Sequence, residues 1–152
     1  MKSINFFLLT LLITLLIQIK SYALIEVDIT RGNLNPLPVA VSPLSIDEKS
    51  KKSFESLIKK KNIGDEISLI VENNLRASGL FNPLSKDAFL QAPDIANLKP
   101  RFEDWNLIKA QALITGKVTN IDDKLRVEFR LWDVLAGKEM MALAFTTVPT
   151  NW

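Results

Sequence analysis

The chain has 152 residues, with 19 Lys and Arg against 17 Asp and Glu, and contains neither Cys nor His. Those two absences exclude a disulfide framework, the Ser-His-Asp triad, the Cys-His dyad and zinc sites built from imidazole and thiolate. The formal charge of +2 comes from Lys2 and Lys20 in a leader that carries no acid, so the rest of the chain is neutral and its basicity does not point to nucleic acid.

Residues 1–23 read as a cleaved secretory signal: Lys2 is the positive end, residues 6–19 are the apolar core, and Ser21-Tyr22-Ala23 is a small-residue cleavage site. The apolar run is too short and too interrupted by Thr10, Thr14 and Gln18 for a spanning helix, which needs about 20 mostly apolar residues. The expected product is an exported chain without stable membrane insertion, of the size of one ordinary domain.

Residues 24–37 form the next unit. From Leu24 to Arg31 the pattern alternates, with Ile25, Val27 and Ile29 on one side and Glu26, Asp28 and Thr30 on the other. That is the period of a strand. Gly32, Asn33, Asn35, Pro36 and Pro38 then make a linker or turn. A strand on such a tether can add to the exposed sheet edge of a partner, or it can serve as an edge strand of its own sheet.

Residues 38–152 are expected to hold the domain. Val39-Ala40-Val41, bounded by prolines, suits a first core strand. Residues 45–61 are polar and lysine-rich, and read as a loop with one helical turn; Lys59-Lys60-Lys61 reads as a solvated patch. A helix follows, because Ile63, Ile67, Ile70, Val71 and Leu75 recur at helical spacing, Asp65 and Glu66 favour its start and Gly79 its stop. Residues 80–84 and 88–90 are short extended candidates, and Pro93 and Pro100 bracket a loop. Phe102, Trp105 and Ile108 suit a short second helix. Residues 112–119, 125–134 and 140–148 are three strands joined by turns, an antiparallel meander. In the middle strand Leu125, Val127, Phe129 and Leu131 share one face, while Arg126, Glu128, Arg130 and Trp132 share the other. The expected fold is α/β, a single small domain with a mixed sheet of about five strands and two helices on one face, ending in that meander.

Four stretches carry a resemblance to the TolB family. They are Val27-Asp28-Ile29-Thr30-Arg31-Gly32 with Val39-Ala40-Val41; Asn74-Leu75-Arg76-Ala77-Ser78-Gly79-Leu80-Phe81; Phe102-Glu103-Asp104-Trp105 running on through Ala110-Gln111-Ala112-Leu113-Ile114-Thr115-Gly116; and Glu128-Phe129-Arg130-Leu131-Trp132-Asp133-Val134. The chain resembles the N-terminal region of that family over essentially all of residues 24–152. It departs at Asn74, where the family usually has Asp, and at Lys109, where it usually has Gly or another small residue. The family continues into a C-terminal β-propeller and this chain stops at Trp152.

The resemblance implies a periplasmic component of the Tol-Pal system, which serves envelope integrity and outer-membrane constriction during division. It further implies binding of the C-terminal domain of TolA through the strand carried onto Leu24, Ile25, Glu26, Val27, Asp28, Ile29, Thr30 and Arg31. Contact with Pal would need the propeller. The alternative is a free-standing exported binding module or a non-functional remnant of a longer gene.

Other signals have plainer readings beside their functional ones. Trp132, on a charged strand face, marks a candidate interface, or else lies under the domain's own helix. The acid pairs Asp47-Glu48, Glu103-Asp104 and Asp122-Asp123 are neighbours in sequence and do not converge by spacing, so they read as caps and turns rather than a hydrolytic pair. Phe129 faces away from Arg126 and Arg130, which removes a stacking and phosphate surface for RNA. No catalytic residue, metal, cofactor, nucleic acid or small-molecule substrate is expected.

Overall fold

The computed structural model describes residues 35–59 and 62–150. Six strands form one mixed sheet: β1 (Leu37–Val41), β2 (Ser45–Ile46), β3 (Phe81–Pro83), β4 (Ala112–Ile121), β5 (Lys124–Asp133) and β6 (Lys138–Thr147). The order across the sheet is β3-β1-β4-β5-β6, with β2 also pairing with β4. β1 runs parallel to both β3 and β4, while β4, β5 and β6 are the expected antiparallel meander. The α/β class and the mixed sheet are therefore as the sequence pattern predicts.

β1 and β2 lie end to end along β4, Val39 opposite Ala112 and Ile46 opposite Val118. Between them the chain bulges at Pro43, and the Leu44 N–H donates to the Gly64 carbonyl at 3.3 Å. A side chain on Gly64 would overlap the Leu44 carbonyl, so only glycine lets helix and strand approach this closely.

Among the described residues there are four α-helices, two more than the sequence pattern predicts: α1 (Glu48–Ile58), α2 (Ile63–Ala77), α3 (Pro93–Leu98) and α4 (Phe102–Leu107). α1 replaces the expected loop. Its apolar stripe is narrow, because Ser50 stands in it one turn before Phe54, and both are buried. The Ser50 hydroxyl accepts from the Asn120 N–H of β4 at 2.9 Å and donates to Asp47 Oδ2 at 3.0 Å. A buried serine thus does the anchoring that periodicity searches for in apolar residues. α3 replaces the loop bracketed by prolines, and Pro93 sits in its first turn, where the missing N–H costs nothing. Residues 88–90 are not a strand. A short 3-10 turn at Lys86–Ala88 delivers Phe89 edge-on to Trp105, with ring centroids 5.0 Å apart.

The helices cover both faces of the sheet, not one. On the first face Ala40, Leu113 and Trp132 pack with Trp105 of α4, flanked by Phe89 and Phe102. On the second, Phe54 of α1 and Ile63 and Ile67 of α2 pack on Val118, Leu125 and Val127, while Val71 and Leu75 lie against Val39, Val41 and Ala112. Alternation along β1 divides the residues in this way, Ala40 going to one face and Val39 and Val41 to the other.

Candidate interaction surface

α2 covers the centre of the second face and stops short of the sheet's last strand. Its positions Ile67, Ile70 and Val71 form one wall, and β5 and β6 form a floor of Leu125, Val127, Phe129, Leu131, Met141, Leu143 and Phe145. Cross-strand register fixes that floor, with Val127 opposite Phe145, Phe129 opposite Leu143 and Leu131 opposite Met141. Two apolar hollows of about 280 Å³ each lie along it and share Val71 and Phe129.

The exposure of this strip is what separates it from ordinary core. Met141 is 51 %, Leu143 48 %, Phe145 56 % and Ile70 49 % exposed, on residue types that normally seek burial. Phe145 meets Phe129 edge-on with centroids 6.4 Å apart, so the row is ordered by contact with the core beneath it. No other described strand lies beyond β6. Contiguous exposed apolar surface of this kind marks an interaction site.

The opposite face of the same hairpin is polar. There Arg126 pairs with Glu128 at 2.8 Å and Arg130 with Glu139 at 3.1 Å, beside the small side chains Ala142 and Ala144. The charged stretch ends at Trp132, which is only 9 % exposed. Its indole N–H donates to Thr115 Oγ1 at 2.9 Å and its ring lies 5.9 Å from that of Phe102. The candidate interface residue is therefore covered by the domain's own α4. The register shifts between Leu131 and Trp132, which pair with Met141 and Glu139, so Met140 of β6 is the extra residue at this point.

The acid pairs serve local structure. Asp47 caps α1, accepting from the Ser50 N–H at 2.9 Å, and this bond holds its carboxyl below the ordinary value of 3.8. Asp104 binds Arg101 at 2.6 Å and the Gln91 amide at 3.1 Å. Asp122 and Asp123 both have positive φ and form the two-residue turn of the β4–β5 hairpin. Among the described residues no three acidic side chains cluster in a way that would hold a metal ion.

The expected partner-binding strand, Leu24 to Arg31, lies outside the described residues, as do Lys60 and Lys61 of the lysine patch. Sequence reasoning missed the β6 surface. Its signal was present: residues 140–145, Met-Met-Ala-Leu-Ala-Phe, lack the polar alternation that a strand with one solvated face shows.

The sequence profile of the TolB amino-terminal domain family matches residues 25–140. The Tol-Pal system protein TolB of Pelagibacter ubique is 79 % identical over 138 residues, which is 91 % of this chain and 31 % of that protein. The chain thus spans about a third of the length of that relative. Among solved structures, TolB from Acinetobacter baumannii superposes with a TM-score of 0.54 at 18 % identity, over 76 % of this chain and 24 % of that one. The C-terminal domain of LpoB from Salmonella enterica superposes with a TM-score of 0.52 at 12 % identity, over 77 % of this chain and 86 % of that one. At such identities the two superpositions show a shared fold and nothing more.

Proposed function

The chain belongs to the TolB amino-terminal domain family, and from that premise we propose that it is a non-catalytic, protein-binding component of the Tol-Pal envelope system. The single observation that carries this reading is the match of the family profile to most of the chain, together with 79 % identity to a Tol-Pal system protein. The matched span begins at Ile25, just beyond the expected cleavage point after Ala23, which supports export and a periplasmic site of action. No helix among the described residues is long and apolar enough to cross a membrane.

Within this reading the alternating segment from Leu24 to Arg31 is the partner-binding element. It adds as a strand to a sheet edge of the TolA C-terminal domain, so that main-chain hydrogen bonds supply affinity and the side chains on alternate positions supply selection. The domain behind it is a folded anchor for the tether. Binding of Pal is assigned to regions of the longer relatives that this chain does not span.

Titration calorimetry tests the assignment. The exported chain is expected to bind the TolA C-terminal domain and not Pal. A chain lacking residues 24–31 is expected to lose TolA binding with its circular dichroism unchanged. Undiminished binding after that deletion would sink the assignment.

A further inference from the structure

We propose that Met141 is a reversible oxidation site, at which conversion of the thioether to a sulfoxide by a hydroperoxide turns the hollow beside α2 from apolar to polar. The site is independent of the TolA reading, because all of its residues lie within the described domain.

Apart from the initiator Met1, the only sulfur atoms in the chain are those of Met140 and Met141, since there is no cysteine. Both residues belong to β6, and both are open to solvent, Met140 at 39 % and Met141 at 51 % exposed. Oxidation at sulfur follows exposure, so an oxidant that attacks sulfur in this domain attacks it here. The two neighbours are not equivalent. Met141 stands opposite Leu131 and shares a hollow of about 280 Å³ with Val71, Ile114, Phe129 and Leu143. Met140 is the extra residue at the register shift and lines neither of the two hollows.

In the reaction with hydrogen peroxide a sulfur lone pair attacks one peroxide oxygen, the O–O bond breaks and an S–O bond forms. The departing hydroxide takes the proton of the transferred oxygen and leaves as water, so the sulfur loses two electrons and the peroxide gains them. The thioether is a soft apolar group that suits the lining of the hollow, whereas the sulfoxide is polar and its oxygen needs a hydrogen-bond donor. The side chains of Val71, Ile114, Phe129, Leu131 and Leu143 offer none. Arg130 also borders the hollow, but its guanidinium is held by Glu139 at 3.1 Å on the polar face. An apolar molecule seated in the hollow would therefore leave the sulfoxide oxygen without a partner, which costs binding free energy. Oxidation at Met140 adds its oxygen outside this space.

Nile red, a neutral dye that fluoresces in apolar surroundings, reports the change, and leucine replaces either methionine with a side chain of similar volume that cannot be oxidised. Peptide mapping by mass spectrometry after treatment with hydrogen peroxide is expected to show both methionines oxidised at rates within about threefold of free methionine. Met140→Leu, which leaves Met141 as the reactive sulfur in the domain, should bind Nile red before oxidation and at least about fivefold more weakly after it, with circular dichroism unchanged. Treatment with the two epimer-specific methionine sulfoxide reductases should restore the dye signal. Met141→Leu should oxidise at Met140 and keep its dye binding. Failure of the unoxidised chain to bind the dye, protection of Met141 from peroxide, a signal in Met140→Leu that holds or rises on oxidation, or an equal loss in Met141→Leu overturns the proposal.

Discussion

Lys109 sits at φ +61°, in the left-handed region, one residue past the C-cap of α4, where its N–H donates to the Asn106 carbonyl at 2.9 Å. A side chain with a Cβ is strained there by roughly 1 kcal/mol, and glycine is the usual residue at this helix-ending position. Lysine therefore occupies this turn at a cost. Lys109→Gly is expected to raise stability by about 0.5–1 kcal/mol, read from the urea midpoint at constant m-value. Thr115 illustrates the opposite case. It is fully buried on β4, and its hydroxyl accepts the buried indole N–H of Trp132. Thr115→Val keeps the volume and removes the acceptor, so it should destabilise the domain by about 1–3 kcal/mol in thermal or urea unfolding. Little change would mean that the indole finds another partner.

At the scale of elements, α1 depends on its N-cap more than on its apolar stripe. Asp47 holds the Ser50 N–H, and the Ser50 hydroxyl ties the helix to Asn120 at the end of β4. Asp47→Ala should cost about 1 kcal/mol at neutral pH, while Asp47→Asn, which keeps the acceptor, should cost less. The sign of the pH dependence follows from the lowered carboxyl pKa. The cap's contribution is fully present above 3.8, the ordinary value, and is lost as pH falls from there through the lower folded-state value. Urea titrations should therefore show the gap between the wild type and Asp47→Ala closing only in that acidic window. A gap of constant size down to the lowest pH would contradict the cap assignment. α2 shows the other regime. Ile63, Ile67 and Val71 recur along one face, Asp65 and Glu66 sit at its start, and Gly79 ends it at φ +71°, so the helix was legible from spacing and punctuation alone. In α1 the anchoring residue is a serine, and in α3 the helix is only six residues long, so neither leaves a strong periodic trace.

Across the whole molecule, local pattern settled what depends on neighbours in the chain. The meander was readable because strand alternation and tight turns are encoded within about ten residues of one another, and β4, β5 and β6 pair in the order in which they occur. The α/β class followed from the sequence of element types, and the absence of His and Cys had already removed the commonest catalytic machinery. What alternation cannot say is which element covers a given face, since each strand offers two faces and burial is set by residues far away in sequence. Only the tertiary structure placed α4 over Trp132 and α1 and α2 on the opposite side. It also showed that α2 ends its cover before β6. The same chemistry, a large apolar side chain on a strand, is core at Leu125 and open surface at Phe145, because one lies beneath a helix and the other lies where no described element reaches.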